Sequence, residues 1–369
     1  MEPKWLAGLM LCAGVAALSP TASSGSGGGP ASLAPDITAP ALADDALLER
    51  IAFGSCLHQA RPQPILGPLL GDDPDLMLFM GDNVYGDVRS PELTELREAY
   101  ALQAASEPMN ALRSAVPVLA TWDDHDYGLN DAGADFPHGA ETRRMFAEFW
   151  QLDDAAFAAE EGVHRARVVG PPGRRVQIIL LDTRSFRSPL KVTDARGAPG
   201  RERYLPDPDP AKTMLGDAQW AWLEAQLAEP ADLRLLVTSI QLIADGHGWE
   251  AWRTLPSERL RLYELLRASG AENLVVLSGD RHRAGIYRHD EALAYPLYEI
   301  TSSALNMPIP EAREEAGPLR LGETYTGANY GRIDVDWEAG RLWLQLLDET
   351  GRVVRAQDVA LARLRMPEA

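Results

Sequence analysis

Six short apolar runs in this chain each break off into residues that carry chemistry, and no other feature restricts its fold so sharply. Arg50–Phe53 runs into Gly54-Ser55-Cys56, Asp75–Met80 into the stretch Gly81–Asp87 (G-D-N-V-Y-G-D), and Val116–Thr121 into Trp122-Asp123-Asp124-His125-Asp126. Further along, Val176–Leu181 runs into Asp182-Thr183-Arg184, Leu235–Thr238 into Ser239-Ile240-Gln241, and Asn273–Leu277 into Ser278-Gly279-Asp280-Arg281-His282. Runs of this length and composition read as buried strands. Between them, Leu93–Ala104, Glu141–Trp150, Asp217–Leu227 and Ser257–Ala268 carry helical patterns, the third with Asp217 placed to cap it. Strands alternating with helices predict an α/β sheet, and such sheets gather their ligands at the C-terminal ends of strands. Tyr330–Leu361 alternates around turns at Glu338–Gly340 and Glu349–Gly351, which predicts a closing antiparallel meander.

The densest of these strand ends poses an electrostatic question. Three carboxylates and an imidazole fall within Asp123–Asp126. Two carboxylates held about 4 Å apart repel by roughly 4 kcal/mol at an effective dielectric near 20. Either the side chains splay into water, or cations hold them together. The whole chain is acidic too, with a net charge of −19 over 369 residues. That argues against a nucleic-acid backbone or an anionic membrane surface as partner, because both need a basic stripe. It also means that an anionic substrate has to be drawn in by local cations.

The N-terminus has Lys4 before an apolar stretch, Trp5–Leu18, and then small residues. This is the pattern of a secretory leader, expected over 1–23, with a Gly/Ser/Pro/Ala-rich tether over 24–45 and one domain over 46–365. Cys12 offers a lipid-attachment alternative, but Leu11 before it is bulky where such sites carry a small residue. With the leader removed, Cys56 is the single remaining thiol and no intramolecular disulfide can form. The expected location is periplasmic or extracellular, with no transmembrane segment after leader removal.

Single residues at the other strand ends support more than one reading. Asp82 can bridge two cations and Tyr85 can fold back over the same site, where a phenolate suits a ferric ion; both can equally be turn residues. Asp280 and His282 are spaced to share one side of a strand end. Arg184, Arg187 and Arg281 match phosphate bidentately, yet each can also pair with a neighbouring acid such as Asp182. Asn83, Asn130, Asn306 and Asn329 suit turns, and Trp220, Trp222, Trp249 and Trp252 suit packing. His58, near Cys56, is placed to line a pocket.

Taken together and in order, G-S-C, G-D-N-V-Y-G-D, W-D-D-H-D-Y-G-x-N-D, L-D-T-R-S-F-R, L-G-x-x-Q-W-x-W-L and S-G-D-R-H are far more specific. In these motifs the chain resembles the alkaline phosphatase D (PhoD-like) branch of the metallophosphoesterases, with kinship to purple acid phosphatases through G-D-x-x-Y. The resemblance runs from Glu49 to the closing meander. It implies a four-layer α-β-β-α sandwich of two mixed sheets, with a metal centre of two or more ions at the strand ends. It further implies Cys56 as the first-strand ligand, Asp82 as the bridging carboxylate, Tyr85 as the iron-binding phenolate and Asp124 as a ligand. His125 follows as the catalytic imidazole, with Asp123 or Asp126 orienting it or else capping a helix. Asp280 and His282 stand at two histidine positions of the wider superfamily, and Gln241 near another. On this basis Fe3+ takes Cys56, Asp82, Tyr85 and His282, and Ca2+ takes Asp82, Asp124 and Asp280, with Mn2+, Mg2+ or Zn2+ as alternatives. Asn83, Arg184 and Arg281 are the expected substrate contacts. The implied activity is hydrolysis of small-molecule phosphate mono- or diesters by a metal-activated hydroxide, in a monomer. The rival reading is a non-catalytic exported binder of phosphate or metal, which has a use for the ligands but none for His125.

Overall fold

The computed structural model describes residues 32–152, 155–310 and 315–366. The expected leader and the first part of the tether lie outside the described residues. The tether ends sooner than the composition predicts. Leu33 is buried among the helix residues Phe146 and Phe149, its N–H donates to Glu148 Oε1 at 2.7 Å, and the Gly170 N–H donates to the Asp44 carbonyl at 2.8 Å. A single apolar residue in a Pro/Ser/Ala-rich stretch has no period to betray it. No helix among the described residues is long and apolar enough to cross a membrane.

All six apolar runs form strands, and they make up the parallel centres of two sheets. Strands β1 (Arg50–Gly54), β2 (Leu76–Met80) and β3 (Val118–Thr121) lie side by side in parallel. The second sheet begins with the antiparallel pair β4 (Arg165–Val169) and β5 (Val176–Leu180). A short hairpin follows, β6 (Lys191–Val192) with β7 (Tyr204–Leu205). Strands β8 (Leu233–Val237) and β9 (Leu274–Ser278) continue the second sheet parallel to β5. With β10 (Ala284–His289) and β11 (Leu297–Ser302) its order is β10-β11-β9-β8-β5-β4. The chain then returns to the first sheet as the expected meander, β12 (Asn329–Asp336), β13 (Arg341–Asp348) and β14 (Val353–Ala360), giving β14-β13-β12-β1-β2-β3.

Strand periodicity explains the layers. Alternate residues face opposite sides, so β2, apolar throughout, and β1, apolar after Arg50, must be covered twice. Ile51, Phe53, Leu76, Leu78 and Met80 share one core with Ile178, Leu235, Val275 and Ile300 of the second sheet. Ala52, Met77 and Phe79 turn the other way, onto Leu96, Tyr100, Leu112 and Phe149 of the outer helices. The helices Gly216–Leu227 and Pro256–Ser269 contribute Trp220, Leu223, Leu262 and Leu266 to the core of the second sheet. This is the expected four-layer sandwich. Truncating a core side chain such as Leu78 to alanine costs about 2–5 kcal/mol, the usual range for a buried leucine. One local expectation is corrected. Helix Gly216–Leu227 starts before Asp217, and Thr213 Oγ1 takes the Gly216 N–H at 2.9 Å, so Asp217 sits inside the first turn and caps nothing.

Because the central strands of each sheet run parallel, their C-terminal ends deliver loops to a common rim. The ends of β2 and β3 approach closely. A Cβ on Gly81, which has φ +104°, would lie 2.5 Å from Asp123 Cβ, so only glycine fits there.

Candidate metal centre

Left-handed backbone turns aim the expected ligands. Cys56, Asp82, Asp280 and His282 have φ of 59°, 49°, 66° and 52°. Non-glycine residues hold this region at a cost of order 1–3 kcal/mol, and such strain collects at functional sites. Four of the ten such residues among those described are expected ligands, so the turns have to be read with the site. This corrects the strand-alternation argument for Asp280 and His282. Strand β9 stops at Ser278, and the two side chains join different groups.

Three groups bring ligand atoms within 4.8 Å of one another: Cys56 with Asp82 and His282, Asp82 with Asp124 and His125, and Asp123 with Asp124 and Asp280. Asp82 links the first two and Asp124 the last two, which makes a continuous line. Cys56 Sγ lies 3.3 Å and the Tyr85 hydroxyl 3.1 Å from the same oxygen, Asp82 Oδ2. His282 donates Nδ1–H to the Met307 carbonyl at 2.6 Å, which leaves Nε2 as its lone pair. Burial lowers its pKa to about 4, so the ring is neutral and ready to ligate.

The donor set fits cations. Asp82 Oδ1 and Asp123 Oδ2 are buried without a hydrogen-bond partner. Burial, and then the neighbouring charge of Asp124, pushes the Asp82 pKa well up, and burial does the same to Asp123 and Asp280. Burial also opposes charge on Asp124, but His125 and Arg184 outweigh it and hold its pKa below the usual carboxylate range. The Cys56 thiol and the Tyr85 phenol are raised by burial and then by Asp82. Groups in this state carry a proton or, deprotonated, a metal ion. One end of the line offers thiolate, phenolate and imidazole; the other offers carboxylates alone.

His125 lines a cavity of about 700 Å³ together with Asp82, Asp124, Asp280, Arg281 and His282. Its Nδ1 is 2.6 Å from Asp87 Oδ1. Burial works against a charged ring, but Asp124, Asp82 and Asp87 outweigh it and raise the pKa to about 11. The orienting role expected of Asp123 or Asp126 therefore goes to Asp87. Asp126 instead accepts the N–H groups of Asp123 at 3.0 Å and Asn83 at 2.9 Å. Asp123 Oδ1 accepts from Ser239 Oγ and Arg184 Nε, both at 2.6 Å. Tyr85 packs against His125 with ring centroids 4.4 Å apart, and His58 stacks on Tyr85 at 5.1 Å.

The expected substrate contacts divide. Arg281 stands in the cavity wall, paired with Glu315 at 2.6 Å and stacked over Trp249. Arg184 is fully buried and bound to Asp123 and Glu250, so it props the carboxylates and does not face a substrate. Arg187 is buried likewise, 2.9 Å from Glu250. Asn83 is buried as well, tying the ends of β2 and β3 through its Nδ2 on the Thr121 carbonyl at 2.9 Å. Gln241 stands between Thr301 Oγ1 at 2.9 Å and His247 Nε2 at 3.1 Å. Glu250 was not singled out from the sequence, and nothing in its local pattern marks it. Asp87 and Asp131 each close a quoted motif and were legible only as part of it.

Comparison with known proteins bears on the family and the fold. A family model described as PhoD-like phosphatase matches residues 55–329. Alkaline phosphatase D of Bacillus subtilis (strain 168) is 24% identical over 244 residues, which is 56% of this chain and 41% of that protein. The match thus spans less than half of that relative's length. Among solved structures, that of PhoD superposes with a TM-score of 0.65 at 18% identity, covering 88% of this chain and 70% of the other. A dimetal phosphatase from Danio rerio gives 0.51 at 12% identity, covering 86% and 100%. At these identities the two structures speak for the fold alone.

Proposed function

The chain belongs to the PhoD-like phosphatase family, and from that premise we propose that it is an exported, metal-dependent hydrolase of phosphate mono- or diesters. The observation that carries the proposal is the line of buried carboxylates Asp82, Asp124 and Asp280, set in one cavity with the paired His125 and Asp87. Cys56, Asp82, Tyr85 and His282 would hold Fe3+. Asp82, Asp124 and Asp280, with Asp123 beside them, would hold Ca2+ or another oxygen-seeking ion such as Mn2+ or Mg2+ in preference to Zn2+. The chemistry bound cations supply in such a site is neutralisation of phosphate charge and hydroxide at near-neutral pH.

The chain's own residues do the rest. Arg281 presents a guanidinium suited to phosphate oxygens from the cavity wall. Asp87 engages Nδ1 of His125, which fixes the ring and directs Nε2 to the substrate. With its proton on Nε2, His125 is the acid for the departing ester oxygen. A protein that only bound phosphate or metal would have no use for this pair, which favours the enzyme over the binder. The leader pattern around Lys4 and Trp5–Leu18 supports export.

The test is hydrolysis of an aryl phosphomonoester and an aryl phosphodiester by the purified mature chain, with iron and calcium present and after chelation. Chelator-sensitive turnover is the expected result, and the preferred ester names the substrate class. Absence of turnover on both, in folded and metal-loaded protein, refutes the proposal and leaves the binding protein.

A further inference from the structure

A second concavity, of about 330 Å³, lies against the catalytic cavity and shares its Asn130–Asp131 edge. Charged residues, Asp135 and Arg187, stand in its lining, but much of the wall is apolar: Leu129, Phe136, Pro189, Leu190 and Val192. Two of them are unusually open to solvent. Leu129 is 43% exposed and Val192 69%, the highest value among the large apolar side chains described. Single exposed apolar residues need no explanation. Two on one groove that shares an edge with the catalytic cavity give an apolar group somewhere to lie.

The shared edge connects the groove to the chemistry. The helix Asp124–Tyr127 delivers Asp124 and His125, and the chain runs straight from it into Leu129–Asp131. The Asp131 N–H donates to Asp124 Oδ2 at 2.6 Å. The Asp131 carboxylate accepts the Tyr204 hydroxyl at 2.8 Å and pairs with Arg203. Tyr204 and Val192 come from the hairpin β6–β7, where they are register partners. One wall of the groove is therefore the hairpin, and the other is the continuation of the segment that carries the catalytic imidazole. An occupant of the groove lies beside the cavity that His125 lines, across the shared Asn130–Asp131 edge.

We propose that this groove is the subsite for an apolar ester group, the alkyl or aryl part of a phosphate ester whose phosphate sits in the neighbouring cavity. The inference rests on the phosphoesterase reading above and narrows its substrate class. The volume is that of a small-molecule site, too small for a protein segment of any length. Each methylene moved from water into such a groove favours binding by about fourfold.

The experiment measures kcat/KM for two ester series, alkyl p-nitrophenyl phosphodiesters and monoalkyl phosphates, each from methyl to hexyl. Reactivity of the bond broken hardly changes along either series, so the chain-length dependence reports the groove. The expected result is a rise of at least about tenfold from methyl to butyl, since three buried methylenes suffice for it. Val192→Asp, at an exposed position, reduces that ratio to within about twofold of unity by setting a hydrated charge at the rim. Leu260→Asp, 56% exposed on the helix Pro256–Ser269 and outside both cavities, leaves the ratio as it was. A ratio near unity in the parent, or one that Val192→Asp does not change, overturns the groove proposal while the enzyme stands. Absence of turnover on every ester overturns the phosphoesterase reading, and the groove proposal with it.

Discussion

Replacing Asp87 by asparagine removes one negative charge and keeps nearly the same shape beside His125. In the parent the carboxylate oxygen lies 2.6 Å from Nδ1. A hydrogen bond to a charged group is worth about 1.5–3 kcal/mol. If that interaction is formed fully only when His125 gives up its proton in position, its loss slows turnover by about 10- to 150-fold at 1.36 kcal/mol per decade. Asp87 is 31% exposed, so the fold depends on it little, and stability changes by less than about 1 kcal/mol. The assay is steady-state hydrolysis of an aryl phosphate ester at saturating metal from pH 6 to beyond the parent's alkaline limb, with metal content measured alongside. We expect kcat to fall, KM to stay within about twofold as for an interaction used in the transition state, and metal content to hold. The pH profile supplies the distinguishing sign. Asp87 helps to raise the His125 pKa, and an acid catalyst is lost as pH rises through its pKa. Removing the charge must therefore shift the alkaline limb to lower pH. An unchanged kcat would refute the reasoning. So would a fall that tracks loss of metal, because Asp87 would then be holding the ions and not the ring.

Other expectations follow from the same contacts. His125→Ala should keep its metal content and lose about 10²- to 10⁴-fold in turnover, the range for removal of a general acid; near-parental turnover contradicts the assignment. Arg184→Met leaves Asp123 buried without its cation, and denaturant unfolding of the metal-free protein should show a loss of about 3–5 kcal/mol. A loss below about 1 kcal/mol would mean that the pair is solvated. His247 is buried, and burial, then Arg281 and Arg253, hold its pKa well below the ordinary histidine value, so it is neutral in the fold. The unfolded chain takes up that proton below about pH 6.5, so stability falls on acidification by up to about 1.4 kcal/mol per pH unit. In His247→Gln the drop in Tm between pH 7 and pH 5 should shrink, and an identical drop in both proteins refutes the attribution.

The strands were legible because the central ones are buried on both faces and therefore continuously apolar. That property belongs to the sequence itself, and β1, β2, β3, β5, β8 and β9 all start and stop within a few residues of the expected runs. The expected ligands were legible through the motifs that carry the family resemblance. Parallel strands put their C-terminal ends on one rim, and Cys56, Asp82, Asp124, Asp280 and His282 do come together there. What the sequence could not show was the direction of a charged side chain near that rim. Arg184 and Arg281 read alike as phosphate contacts, and only packing sends one into a buried pair with Asp123 and the other to the cavity wall. Asp123 and Asp126 were the expected partners of His125, and a loop conformation that no pattern encodes gave the contact to Asp87 instead. Leu33 escaped because one buried residue has no periodicity.

The central claim is a line of shared carboxylates that holds two metal ions, and metal content tests it most directly. The protein and its Asp82→Asn variant would be purified, loaded with iron and calcium, dialysed against metal-free buffer and analysed for bound elements. Asp82 belongs to two of the ligand groups, so the account predicts two ions per chain in the parent and loss at both positions in the variant. A parent that retains no more than one ion, or a variant that keeps both, would contradict it.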